Sequence, residues 1–174
     1  MARCSSLLLL TLLALAASCA ASPPPSDAIR FDPCQPVVLA VGASATIDQA
    51  AAVQSASAMW NQIGHTRLSS LASSASVPAS ALTLPVRFQP AAAPSHGYYD
   101  PVSGEVLVNT DLRGRPDAIT IAHEVGHAFG LVHVAPDQRP SVMNPGNLDT
   151  PPTLEDRDAL TLLWGQCPSP EEPR

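Results

Sequence analysis

The chain has 174 residues, room for one modest domain and too few for two ordinary ones. Charged residues make up only 14%, the net charge is −6, and the nine basic residues are all Arg and scattered, so the electrostatic footprint of a nucleic-acid-binding protein is missing. A hydrophobic content of 45% would suit a membrane protein, but much of it is Ala and a single N-terminal run.

That run comes first in chain order. Arg3 is followed by no charge until Asp27, and the apolar centre spans residues 7–17. It is too short for a membrane-spanning helix, which needs about 20 residues, and its layout is that of a secretory signal over residues 1–18. The AASC stretch at 16–19 resembles a bacterial lipobox, in which the cysteine is lipidated and becomes the mature N-terminus. Cysteine parity agrees: Cys4 leaves with the signal, acylated Cys19 is capped, and Cys34 and Cys167 remain as one pair for an oxidising compartment. Residues 19–29, with three consecutive prolines at 23–25, are expected to form an extended tether. A single domain over 30–167 and a tail over 168–174 follow. The expected setting is export, with a lipid anchor in the cell envelope as the only membrane contact.

Within the domain, the apolar run at 36–41 predicts a buried strand. Thr46 with Gln49 three residues on is a capping-box signature, and Val53, Ala56, Trp60 and Ile63 recur at helical spacing until Gly64. Residues 69–81 are rich in Ser and Ala and are expected to be a loop. Residues 82–88 suggest a second strand, against which Pro85 counts. Tyr98-Tyr99 and residues 106–108 flank a turn-rich 100–104 linker and predict a hairpin. Pro116 and Asp117 open a helix that should run to Phe129 and stop at Gly130. A last helix is expected over 154–164, with Thr153 as cap and Gly165 after it. The order β-α-β-ββ-α-α is a mixed α/β arrangement.

The chemistry concentrates in HEVGHAFGLVH at 123–133. On a helix, His123 and His127 stand at i and i+4, so both imidazoles project from one face and can share an ion. Gly130 permits a left-handed turn that brings His133 back to close a three-nitrogen site. Three protein ligands leave the fourth tetrahedral position for water, the pattern of catalytic rather than structural zinc. Glu124, adjacent to a ligand, can act as base towards that water without ligating. From this composition a chance HExxH has a probability of order 10⁻³ to 10⁻², and the eleven-residue form of order 10⁻⁵.

These residues resemble the metzincin metallopeptidases, whose extended motif is HExxHxxGxxH followed by a methionine-containing turn. The SVMNP stretch at 141–145 places Met143 ten residues beyond His133 and looks like that turn. Gly126 and the closing LEDRDALTLLWG at 154–165 look most like the matrixin branch. The resemblance implies a zincin-type catalytic domain: a twisted mixed sheet with an antiparallel edge strand, an active-site helix and a C-terminal helix. It implies a monomeric zinc endopeptidase acting on proteins or peptides, with His123, His127 and His133 as ligands of one zinc ion. Glu124 would be general base and Met143 the floor under the metal. Substrate would lie antiparallel to the edge strand, here residues 97–100. Val134 follows the third histidine where matrixins commonly carry Ser. Pro145 stands where astacin-like members carry an extra Tyr ligand.

Other candidates have ordinary explanations. His65 is expected at the surface or near a helix C-terminus. His96 reads as a loop histidine near the rim, and Asp100, Asn109 and Asp111 as turn residues without calcium-loop spacing. Asp156 suits the start of the last helix, and in the family a matching Asp supports the methionine turn. Cys34 could in principle reach the metal as a latency switch, but too little chain precedes the first strand. A Cys34–Cys167 disulfide is the expected pairing.

Overall fold

A computed structural model describes residues 28, 30–71, 81–90 and 96–168. The expected signal over 1–18, Cys19 and nearly all of the expected tether and tail lie outside the described residues. The elements are β1 (Pro36–Val41), α1 (Ile47–Gln62), β2 (Arg67–Leu71), β3 (Leu82–Gln89), β4 (Gly97–Asp100), β5 (Glu105–Asn109), α2 (Arg115–Ala128) and α3 (Leu154–Trp164). Five strands form one sheet in the order β2-β1-β3-β5-β4. All pairings are parallel except β4 with β5, so the sheet is mixed and β4 is its antiparallel edge.

Local chemistry sets most element ends. Thr46 and Gln49 form a complete capping box on α1, and Thr153 and Asp156 form another on α3. Gly114 precedes α2, whose first turn holds Pro116. At its other end Gly130 adopts φ +93°, with Gly130 N–H on His127 O at 2.9 Å and Leu131 N–H on Gly126 O at 2.9 Å. That pair of bonds is a Schellman motif, and it turns the chain back across the helix end.

The core lies between the sheet and two helices: α1 packs on β1 and β2, α2 on β4 and β5, and the helices on each other. Leu39, Leu84, Val86 and Val106 come from the strands, Val53, Trp60, Ile121 and Val125 from the helices. Trp60 is fully buried and satisfies its indole by donating to Ala122 O at 2.9 Å, which ties α1 to α2.

One expectation needs correction. The loop predicted from residue 69 begins later, because residues 69–71 belong to β2; residues 72–80 lie outside the described residues. Only Leu68 of β2 is well buried, so the segment lacks an alternating apolar signal. Its extended form is enforced from outside by the β1 ladder and by Asn61 of α1, whose amide bonds both Leu68 N–H (3.0 Å) and Leu68 O (2.8 Å). Pro85 sits inside β3, a central strand. It is tolerated one residue before the β5 ladder begins at Val86.

Cys34 and Cys167 form a disulfide with Cα atoms 5.0 Å apart, joining the approach to β1 to the chain beyond α3. A latency role for the Cys34 thiol is thereby removed. Among the described residues, no helix is long and apolar enough to cross a membrane.

Candidate metal centre

α2 carries His123, Glu124 and His127, and the Schellman turn returns His133 to the same face. His133 Nε2 stands 3.2 Å from Nε2 of both His123 and His127. The ring centroids are 4.8–5.2 Å apart. Three nitrogens about 2.0–2.1 Å from one tetrahedral ion would be about 3.3 Å apart, so the convergence has the dimensions of a shared cation.

The outer nitrogens support this. His123 Nδ1 is 2.7 Å from Val142 O and His127 Nδ1 is 2.9 Å from Leu131 O. A carbonyl can only accept, so each Nδ1 carries the proton and each Nε2 points a lone pair inward. His133 can protonate only one of its two contacts. At least one pair of lone pairs would then face each other at 3.2 Å unless a cation lies between them. Burial pulls the His123 pKa down to about 4 and lowers that of His127, keeping both rings neutral as ligation requires. The three histidines can hold a metal ion.

Glu124 does not join the nitrogen cluster. It is buried, and its Oε2 accepts the N–H of Tyr99, on edge strand β4, at 2.8 Å. Burial drives its pKa up to about 7 against the opposing pull of that hydrogen bond. The carboxyl is therefore fixed beside the histidines with Oε1 left to exchange a proton.

Below the cluster Met143 is 1% exposed. A Cβ on Gly126 would stand 2.4 Å from Met143 Sδ, so glycine at this helix position is what lets the methionine slide under α2. The segment between α2 and α3 has no strand or helix of its own and is held by side chains. Asp156 accepts Ser141 Oγ–H, Val142 N–H (3.0 Å), Thr153 N–H (3.0 Å) and an Arg139 N–H (2.9 Å). Those bonds outweigh burial and hold its carboxyl below the ordinary aspartate range. Asn144 donates to Val134 O (2.9 Å) and Arg139 O (3.1 Å) and accepts Ser141 N–H (3.0 Å). Val134 N–H on Met143 O at 3.0 Å ties the turn to the residue after the third histidine. Arg139 escapes sequence reasoning, and Ser141 and Asn144 enter it only as part of the SVMNP stretch, because no short-range spacing marks the bonds they make.

His65 lies just past the C-terminus of α1, as expected, and outside the cluster: it is half-buried beside Cys34 and Cys167, with Nδ1 3.4 Å from Thr161 Oγ1. Asp100 caps its own turn through Val102 N–H and Ser103 Oγ–H, and Asn109 accepts Asp111 N–H. His96 lines a cavity of about 260 Å³ between Gly97 and the 145–147 segment. A second cavity, about 400 Å³, opens on the other side of the histidines, along Tyr98 to Pro101 and Val132. No protein-family model matches this chain, and no curated protein matches it.

Proposed function

We propose that this chain is a zinc-dependent endopeptidase of the metzincin kind, exported and anchored through Cys19. The observation that carries the reading is the convergence of three neutral imidazoles on one point with a separate buried carboxylate, Glu124, held at their edge. A purely structural metal site has no use for that carboxylate. The donor set of three nitrogens suits zinc, which when bound supplies a Lewis acid that polarises a carbonyl and acidifies water.

The chain's own residues supply the rest. Glu124 takes the proton of the attacking water at Oε1 and passes it to the departing amine. A pKa near neutrality suits both halves of that transfer. β4 is the edge strand beside the cluster, and an extended peptide substrate runs antiparallel to it. Met143 and Asp156 hold the floor and the turn that keep the imidazoles in place.

The test is a casein digest with and without chelator, alongside Glu124→Gln. Chelator should abolish cleavage and added zinc restore it. Glu124→Gln should keep near-stoichiometric zinc by elemental analysis, while the rate falls by about 10²–10⁴. Cleavage by Glu124→Gln at the wild-type rate would refute the mechanism. Zinc binding with no cleavage of any protein or peptide would leave a metal-stabilised binding module instead.

A further inference from the structure

Among the described residues lining the cavity of about 400 Å³ beside the histidines is one charged side chain that the proposed chemistry does not use, Arg30. It arrives there by construction. Phe31 is buried, and its N–H bonds Ala128 O at 2.9 Å, so the chain ahead of β1 is tied to the last turn of α2. Arg30 is thereby laid across Gly130: its Cδ, Nε and Nη1 lie 3.4–3.6 Å from where a Cβ at 130 would be. A Cβ at 130 would stand in ordinary van der Waals contact with that side chain.

Among the described residues Arg30 forms no ion pair with a carboxylate. Among the described residues the only acidic one lining the cavity is Glu124, which is already engaged by Tyr99 N–H. An Arg held at a cleft wall with no carboxylate partner among the described residues is a fork for a ligand carboxylate.

The position of the cavity gives direction. It extends along β4 to Tyr99 and Pro101, the C-terminal end of that strand, whereas the 260 Å³ cavity touches only His96 and Gly97 at the other end. A peptide antiparallel to β4 puts the residues before its scissile bond at the Arg30 end.

We propose that Arg30 is a specificity residue that selects peptides carrying Asp or Glu N-terminal to the scissile bond; this rests on the endopeptidase reading above. The discriminating set is four peptides, identical and without charged side chains except at the three positions before the bond. One has Gln at all three positions before the bond, and each of the others has a single Glu at one of them. The best Glu peptide should exceed the Gln peptide in kcat/KM by about three- to tenfold, a modest factor because Arg30 is solvent-exposed. The advantage should shrink at about 1 M salt. Arg30→Gln should bring the ratio to about one, and Arg30→Glu should shift preference to Lys at the same position. Equal wild-type rates, or a Glu preference that survives Arg30→Gln, would overturn the proposal. If no peptide is cleaved, the endopeptidase reading fails separately. Fluorescence anisotropy of the same peptides on zinc-loaded protein then decides Arg30: tighter Glu-peptide binding lost in Arg30→Gln supports it, and equal or absent binding sinks it.

Discussion

Glu124 and Asp117 lie two turns apart on α2, and burial raises both pKa values, yet their surroundings differ. Glu124 keeps a hydrogen bond from Tyr99, whereas Asp117 is 3% exposed with Oδ1 unpartnered among the described residues. Burial pushes Asp117 up to about 6, with Arg113 opposing. A carboxyl whose folded pKa is raised binds its proton more tightly folded than unfolded. Stability is therefore highest below about pH 4 as far as this group is concerned, and falls as pH rises through about 6. The loss should be of order 1–3 kcal/mol. Asp117→Asn keeps the shape without the charge, so urea unfolding at pH 5 and pH 8 should show the decline flattened and the variant more stable at pH 8. An unchanged pH profile would mean that Asp117 ionises without penalty.

The contact between α2 and the methionine turn sets two helix rules against each other. Gly126 lies in the last turn of α2, still at a helical position where Ala should be better by up to about 1 kcal/mol. A methyl there would meet Met143 Sδ at 2.4 Å and Trp60 at 3.3 Å, both residues being buried. Overpacking of this kind costs about 1–3 kcal/mol, so the clash should win and Gly126→Ala should lower Tm. Met143→Ala removes the obstacle at the cost of a cavity. The double variant should then be more stable than the two single effects added together, by about 1 kcal/mol or more in a double-mutant cycle. Simple additivity would show that methionine and glycine are not sharing one space. Gly97 follows the same logic on β4, where a Cβ would stand 2.7 Å from Thr120 Cγ2.

Across the whole molecule, one bridge fastens both ends of the domain. Cys34 and Cys167 are separated by 133 residues, so the unfolded chain loses much freedom when they are joined. Cys34→Ser with Cys167→Ser should cost about 2–4 kcal/mol, measurable as a lower denaturant midpoint. An unchanged midpoint would show that the bridge adds nothing to the fold. Location is testable at the same scale. In the proposed anchored form, Cys19→Ser should move the protein from the membrane fraction to soluble material, and a wild type already soluble would contradict anchoring.

Helices α1 and α3, the β4–β5 hairpin and the HEVGHAFGLVH stretch were readable because their signals are local: Thr46 with Gln49, Thr153 with Asp156, the turn at 100–104 and histidines at helical spacing. β2 was not, since RLSSL has no apolar alternation and becomes a strand only where β1 and Asn61 hold it. The spacing of His123 and His127 sufficed to pair them. Gly130 likewise marked the turn that returns His133, which the Schellman bonds carry out, but that His123 presents Nε2 depends on Val142, nineteen residues away. Glu124 was named by its neighbour, but its hydrogen bond to an edge strand 25 residues earlier came from packing. Arg30 beside Gly130 is a hundred residues removed in sequence, and no pattern along the chain marks it. Caps, turns and helical spacing act within a few residues and are therefore written in order along the chain. Ligand tautomers, buried carboxyls and cleft walls are contacts between distant segments, and only the folded packing fixes which of them meet.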